Sequence, residues 1–117
     1  MTTELVEVRA IVRAQMLDGV IRALRDNGIP RLTVTRVHAI GVGVDAALAK
    51  LSVQEGAEYA DKALIQFVCG SGQCDHLTGL LARTAWTGRR GDGIVYVMPV
   101  HSVTKLRTGA TGLAALH

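Results

Sequence analysis

The apolar residues of this chain change their spacing twice, and in the same order each time. From Leu5 to Val12 they alternate: Val6, Val8, Ala10 and Val12 share one face, while Glu7, Arg9 and Arg13 are among those on the other. That is the period of a half-buried strand. From Met16 to Asn27 the spacing becomes helical, with Met16, Val20, Leu24 and the neighbours Leu17 and Ile21 on one stripe. Gly28 stands where a helix end needs a left-handed residue, and Pro30 blocks continuation. A β-rich run follows over Arg31–Ile40, with three β-branched residues at its centre. The switch then repeats. KALIQFVC, Lys62 to Cys69, has strand character, the turn GSGQ interrupts it, and a helix follows with Leu77, Leu80, Leu81, Thr84 and Ala85 on one stripe. A last strand runs through Val95, Tyr96, Val97 and Val100. Between the two halves, Gly41–Asp61 fits neither period, and a connection of that length inside a compact domain is usually functional or disordered.

Two strand–helix–strand halves predict an α+β fold, the ferredoxin-like βαββαβ sandwich, in which a four-stranded antiparallel sheet carries two helices on one face. The right-handed crossover rule decides which face they cover. At 117 residues the chain is expected to form a single domain, residues 1–117, without staples. The strands carry apolar residues on both faces, with Ile11, Val37 and Ile65 set against Val12, Ile40 and Leu64. One apolar sheet face is therefore left for an interface, and oligomerisation is expected.

Composition removes several functions. The formal charge is only +3 and no lysine/arginine run occurs, so no nucleic-acid surface is indicated. Phe67, Trp86, Tyr59 and Tyr96 are too few to form a stacking platform. Apolar stretches are strand-length and charges interrupt every longer window, which argues against insertion in a membrane. MTTELVEVRA has no apolar signal core, and two cysteines without a secretion signal suggest reduced thiols in a cytoplasmic protein. No nucleophile elbow, H-E-x-x-H or P-loop ending is found, so the chain reads as a binding protein rather than an enzyme. Cys69, Cys74 and His76 form a C-x4-C-x-H cluster that could hold zinc or copper(I), the basis of an alternative reading as a metal-responsive trimer linked to metal efflux. Its spacing matches none of the usual zinc templates.

TGRRGDGIVYV, Thr87 to Val97, sets three glycines, two arginines and an aspartate ahead of an apolar strand. Asp-Gly before alternating apolar residues is a hairpin signal. The same residues suit an anion, because glycines let backbone N–H groups approach it and arginines supply charge.

Four stretches resemble the nitrogen regulatory P-II signalling family over nearly the whole chain: AIVRAQMLDGVIRALRDNGI at Ala10–Ile29, LTVTRVHAIGVG at Leu32–Gly43, RTAWTGRRGDGIVYV at Arg83–Val97, and KLRTGATG at Lys105–Gly112. The TG-x-x-GDG turn and the basic-x-Arg-Thr-Gly element are the specific ones. The resemblance implies a homotrimer with an adenine-nucleotide site (ATP, ADP or AMP) in each cleft between subunits. It implies a long loop, about 41–61, contacting a partner transporter or enzyme. It also implies a glycine turn at 87–93 holding phosphates and a C-terminal loop at 105–112 closing from the neighbouring subunit. Gly91, Asp92 and Gly93 match the phosphate-cradling turn, with Thr87 and Gly88 leading into it. Arg107 matches a phosphate-contacting arginine, and Lys105 stands where the family usually has another. Thr33 and Val68 match positions lining the adenine pocket, and Gly41 opens the long loop.

The chain also departs from the family pattern. Ile94 replaces the lysine after GDG, and Val42 and Gly43 replace an arginine and a magnesium-organising glutamine. Lys62 stands where a lysine binds 2-oxoglutarate, and Tyr59, in EGAEY, lies nearer the loop's end than the tyrosine modified in some members. These departures imply weaker binding of a magnesium-bound triphosphate and little effect of 2-oxoglutarate.

Overall fold

A computed structural model describes residues 4–40, 50–52 and 57–117. The elements follow in the order β1 (Leu5–Arg13), α1 (Leu17–Asp26), β2 (Thr33–Ile40), β3 (Lys50–Ser52), β4 (Ala57–Gly70), α2 (Cys74–Thr84) and β5 (Gly93–Val100). Short 3-10 turns, Ala14–Met16 and Ser71–Gln73, lead into the two helices. The sheet runs β2-β4-β1-β5, and each neighbouring pair is antiparallel. This is the expected βαββαβ arrangement with one addition, the short β3 paired to β4.

The addition changes the reading of the long connection. Ala57–Asp61, expected to be loop, is strand: Tyr59 pairs with Ile40 of β2 on one edge and with Lys50 of β3 on the other. These residues have no strand period of their own, and partners on both edges supply what local propensity lacks. Residues 41–49 and 53–56, the remainder of the expected loop, lie outside the described residues.

Alternation dictates the core. Val6, Val8, Ala10 and Val12 of β1 and Ala63, Ile65, Phe67 and Cys69 of β4 face Val20 and Leu24 of α1 and Leu77 and Leu81 of α2, all in one buried cluster. Both helices therefore share one sheet face. Ile65 belongs to this face with Val12, whereas Leu64 lies on the opposite one with Ile11, so the pairing of these residues expected from sequence is corrected. Helix α1 ends as Gly28 promised, at φ 88°. Ile29 N–H donates to Leu24 O at 3.0 Å and Gly28 N–H to Arg25 O at 3.2 Å, the two bonds of a Schellman end, while Ile29 is buried in the core. Asn27 then ties the helices together, its Oδ1 lying 2.9 Å from His76 Nε2.

The open face carries Ile11 on β1 opposite Ile94 on β5, and Ile94 is 61% exposed. Where β5 begins, β1 passes so close that a Cβ on Gly93, at φ 115°, would stand 1.8 Å from Ile11 O. Gly93→Ala is therefore expected to destabilise the protein by at least ~3 kcal/mol, because clash and backbone strain add. Gly72→Ala, whose Cβ meets nothing within 4 Å, should stay within about 0.5 kcal/mol of the parent in denaturant titrations.

Candidate functional site: a carboxylate-centred glycine turn and a cleft at the far end of the sheet

Helix α2 stops at Thr84, and the chain turns back to β5 through residues 85–92. Asp92 organises this return. Its Oδ2 accepts from Thr87 N–H at 2.8 Å and Gly88 N–H at 2.9 Å. Its Oδ1 accepts from the Thr87 hydroxyl and from Arg13 Nε, the latter at 2.9 Å. Arg13 also donates through Nη2 to Arg90 O at 2.6 Å, and Lys62 Nζ donates to Gly91 O. Gly88, Gly91 and Gly93 all take positive φ, at 83°, 89° and 115°. The Trp86 ring lies against Gly88, where an added Cβ would meet it at 2.9 Å.

The electrostatics follow from this geometry. Partial burial pushes the Asp92 carboxyl up, but the Thr87 hydroxyl and amide, the Arg13 guanidinium and the Gly88 amide outweigh it and hold the group well below the usual carboxylate range. Arg13 and Lys62 are 2% and 3% exposed, so two cations lie under the turn. Lys62 was singled out from the sequence. Arg13 was not: it reads there as one more polar residue of an alternating strand, and it is the return of residues 90–92 over β1 that brings Asp92 and Arg90 O to it.

Thr33 and Val68 lie elsewhere. With Glu7, Arg31, Gln66 and Leu113 they line an open cleft of about 410 Å³. The C-terminal segment forms one wall, where Leu113 packs against Gly70 closely enough that a Cβ there would be 3.2 Å away. Before that wall, residues 104–111 make a tight excursion. Thr104 bridges to Thr111, Lys105 N–H donates to Ala110 O, and Gly109 N–H donates to Lys105 O, both at 2.8 Å. Arg107 is exposed at its tip beside Leu106, which is 97% exposed. Lys105 turns away, its Nζ donating to the main-chain oxygen of His117.

The expected site residues thus fall into two groups within one chain. Thr87, Gly88, Gly91, Asp92 and Gly93 gather over Arg13 and Lys62, while Val68 lies six residues further along β4 from Lys62, roughly 20 Å at strand rise. Gly41, Val42 and Gly43 lie outside the described residues. The alternative metal set is not assembled: Cys69 is in the core, His76 bonds to Asn27, and among the described residues no three such side chains converge as a metal site.

Asp92→Asn keeps the shape of the side chain and loses its charge. Near pH 7 the variant should be less stable than the parent by about 1.5–3 kcal/mol, the contribution of hydrogen bonds to a charged group. A carboxyl depressed by folding stabilises above its unfolded pKa, and that stabilisation is lost as pH falls through the folded value. Thermal melts of the two proteins should converge only in strong acid, below the ordinary carboxylate range.

Comparison with known proteins agrees with this fold. A family model described as nitrogen regulatory protein P-II matches residues 5–110. Nitrogen regulatory protein P-II of Cyanidium caldarium is 32% identical over 110 residues, 94% of this chain and 97% of that protein. Nitrogen regulatory protein GlnK2 of Haloferax mediterranei is 34% identical over 113 residues, 93% of this chain and 89% of that one. Among solved structures, Arabidopsis thaliana PII bound to citrate superposes with a TM-score of 0.81 at 29% identity, covering 97% of this chain and 92% of that one. The chain belongs to the nitrogen regulatory protein P-II family.

Proposed function

We propose that this member of a family of nitrogen-regulatory signalling proteins works as a homotrimer that binds an adenine nucleotide between subunits and reports it to a partner protein. The observation that carries the reading is the separation of the two half-sites. The glycine turn and the cleft lined by Thr33 and Val68 are too far apart in one chain to hold one nucleotide, so a complete site needs a second copy. The sheet face bearing Ile11, Leu64 and exposed Ile94 offers an apolar surface for that copy. Arg107, exposed at the tip of its excursion, is free to reach a neighbour's phosphates, and a guanidinium suits that role.

Thr33, Val68 and Gly41 are assigned to the base side of the site. Thr87, Gly88, Gly91, Asp92, Gly93, Lys105 and Arg107 are assigned to the phosphate side. Lys105 enters only if its bond to His117 opens. The partner is a transporter or enzyme met through the connection between β2 and β4, and the protein acts in the cytoplasm as a regulator rather than a catalyst. Among the described residues no helix is long and apolar enough to cross a membrane. An isoleucine at position 94 places an apolar side chain where family resemblance puts an ammonium, which disfavours a magnesium-bound triphosphate and tilts binding toward ADP or AMP, with little response to 2-oxoglutarate.

Light scattering at micromolar concentration should give the mass of a trimer; a monomer would overturn the shared site. In calorimetry with ATP, ADP and AMP, Arg107→Ala should weaken nucleotide binding about tenfold or more, the loss expected for one charged hydrogen bond. Ile94→Lys should restore ATP affinity more than AMP affinity, since its ammonium faces the outer phosphates. Equal gains, or no nucleotide binding by the parent, would show that the cleft serves another ligand.

A further inference from the structure

We propose that Arg13 is the positioning residue of the glycine turn, setting the direction in which the turn presents its amides to a phosphate. The inference rests on the nucleotide reading above and names how this chain shapes that site. It begins with the peptide group. In a planar trans peptide the C=O of one residue and the N–H of the next point in opposite directions. Arg90 O is drawn down onto Arg13 Nη2 at 2.6 Å, so the Gly91 N–H of the same peptide points up, away from the sheet. Gly91 O is drawn onto Lys62 Nζ, which fixes the next peptide as well. The left-handed conformation at Gly91, φ 89°, is what allows two successive carbonyls to reach buried cations.

The neighbouring amides are already committed. Thr87 and Gly88 donate to Asp92 Oδ2, so they stabilise the turn and are not offered to a ligand. This divides the expected phosphate cradle into a scaffold, made by Thr87, Gly88 and Asp92, and a presenting peptide, Arg90–Gly91. Arg13 touches both parts, because its Nε holds Asp92 Oδ1 at 2.9 Å while Nη2 holds Arg90 O. Only a forked side chain spans two such acceptors. A lysine has one nitrogen and must choose between them.

Arg13 is 2% exposed and lies behind the turn, so its effect on a ligand is indirect. It should govern the binding increment from phosphates and leave the nucleoside increment alone. Trp86, the single tryptophan of the chain, packs against Gly88 and reports the turn's conformation without any ligand.

The test uses the full-length protein with Arg13→Lys and Arg13→Met, titrated with adenosine, AMP and ADP, and with Trp86 emission recorded in parallel. Both variants should shift Trp86 emission. Both should lower the ratio of ADP to adenosine affinity by about tenfold, the equivalent of one lost charge-assisted hydrogen bond, with adenosine itself unchanged. A purely structural role would weaken all three ligands together, in step with thermal stability, and would overturn the proposal. An unchanged ADP-to-adenosine ratio would overturn it as well. If Arg13→Met does not fold, Arg13→Lys, which keeps the buried cation, decides. If the parent binds no nucleotide, the functional reading falls by itself, and Trp86 emission still decides whether Arg13 sets the turn: identical spectra in parent and Arg13→Lys exclude it.

Discussion

Nine residues of β1 pair with nine of β4, and the last pair of that ladder sets Arg13 opposite Lys62. Like charges facing each other across a sheet repel, and burying them adds a desolvation cost. The chain answers both by folding residues 90–92 over the pair, so that two carbonyls and one carboxylate face the two cations. The glycine turn therefore has its shape because of a charge problem created by the register of β1 against β4. Asp92 stays ionised, Gly93 starts β5 hard against Ile11, and Trp86 closes the outside of the turn.

The second organising constraint is one-sided burial. The apolar stripes of α1 and α2 are satisfied by the same face of β1 and β4, which leaves Ile11, Leu64 and Ile94 on the face opposite these two helices. An uncovered apolar sheet face of this kind is the usual mark of an interface. The same sheet sets the turn over Lys62 and the cleft around Val68 six residues apart along β4.

Much of this was legible in the residues. The change from period two to helical spacing located both helices and the flanking strands, and Gly28 with Pro30 marked the end of α1, because local sterics and alternation act over a few residues. The TG-x-x-GDG turn was legible as an anion-binding candidate because glycines at positive φ carry their own signature. The first half of β4 was not legible. Its residues fit no period, and their strand conformation comes from β2 on one edge and β3 on the other. The face of Ile65 was misassigned because a one-residue error in register moves every side chain to the opposite face.

The sequence by itself determined the order of the four long strands and two helices, the helix stripes and the residue types of the turn, since each depends on interactions between near neighbours along the chain. Tertiary structure alone decided the role of Arg13. Two of its hydrogen-bond partners, Arg90 and Asp92, lie 77 and 79 residues away. It became a buried, forked anchor because antiparallel pairing brought β1, β4 and β5 to one end of the sheet, where a charge shut away from water must be met by oxygen atoms from elsewhere in the chain.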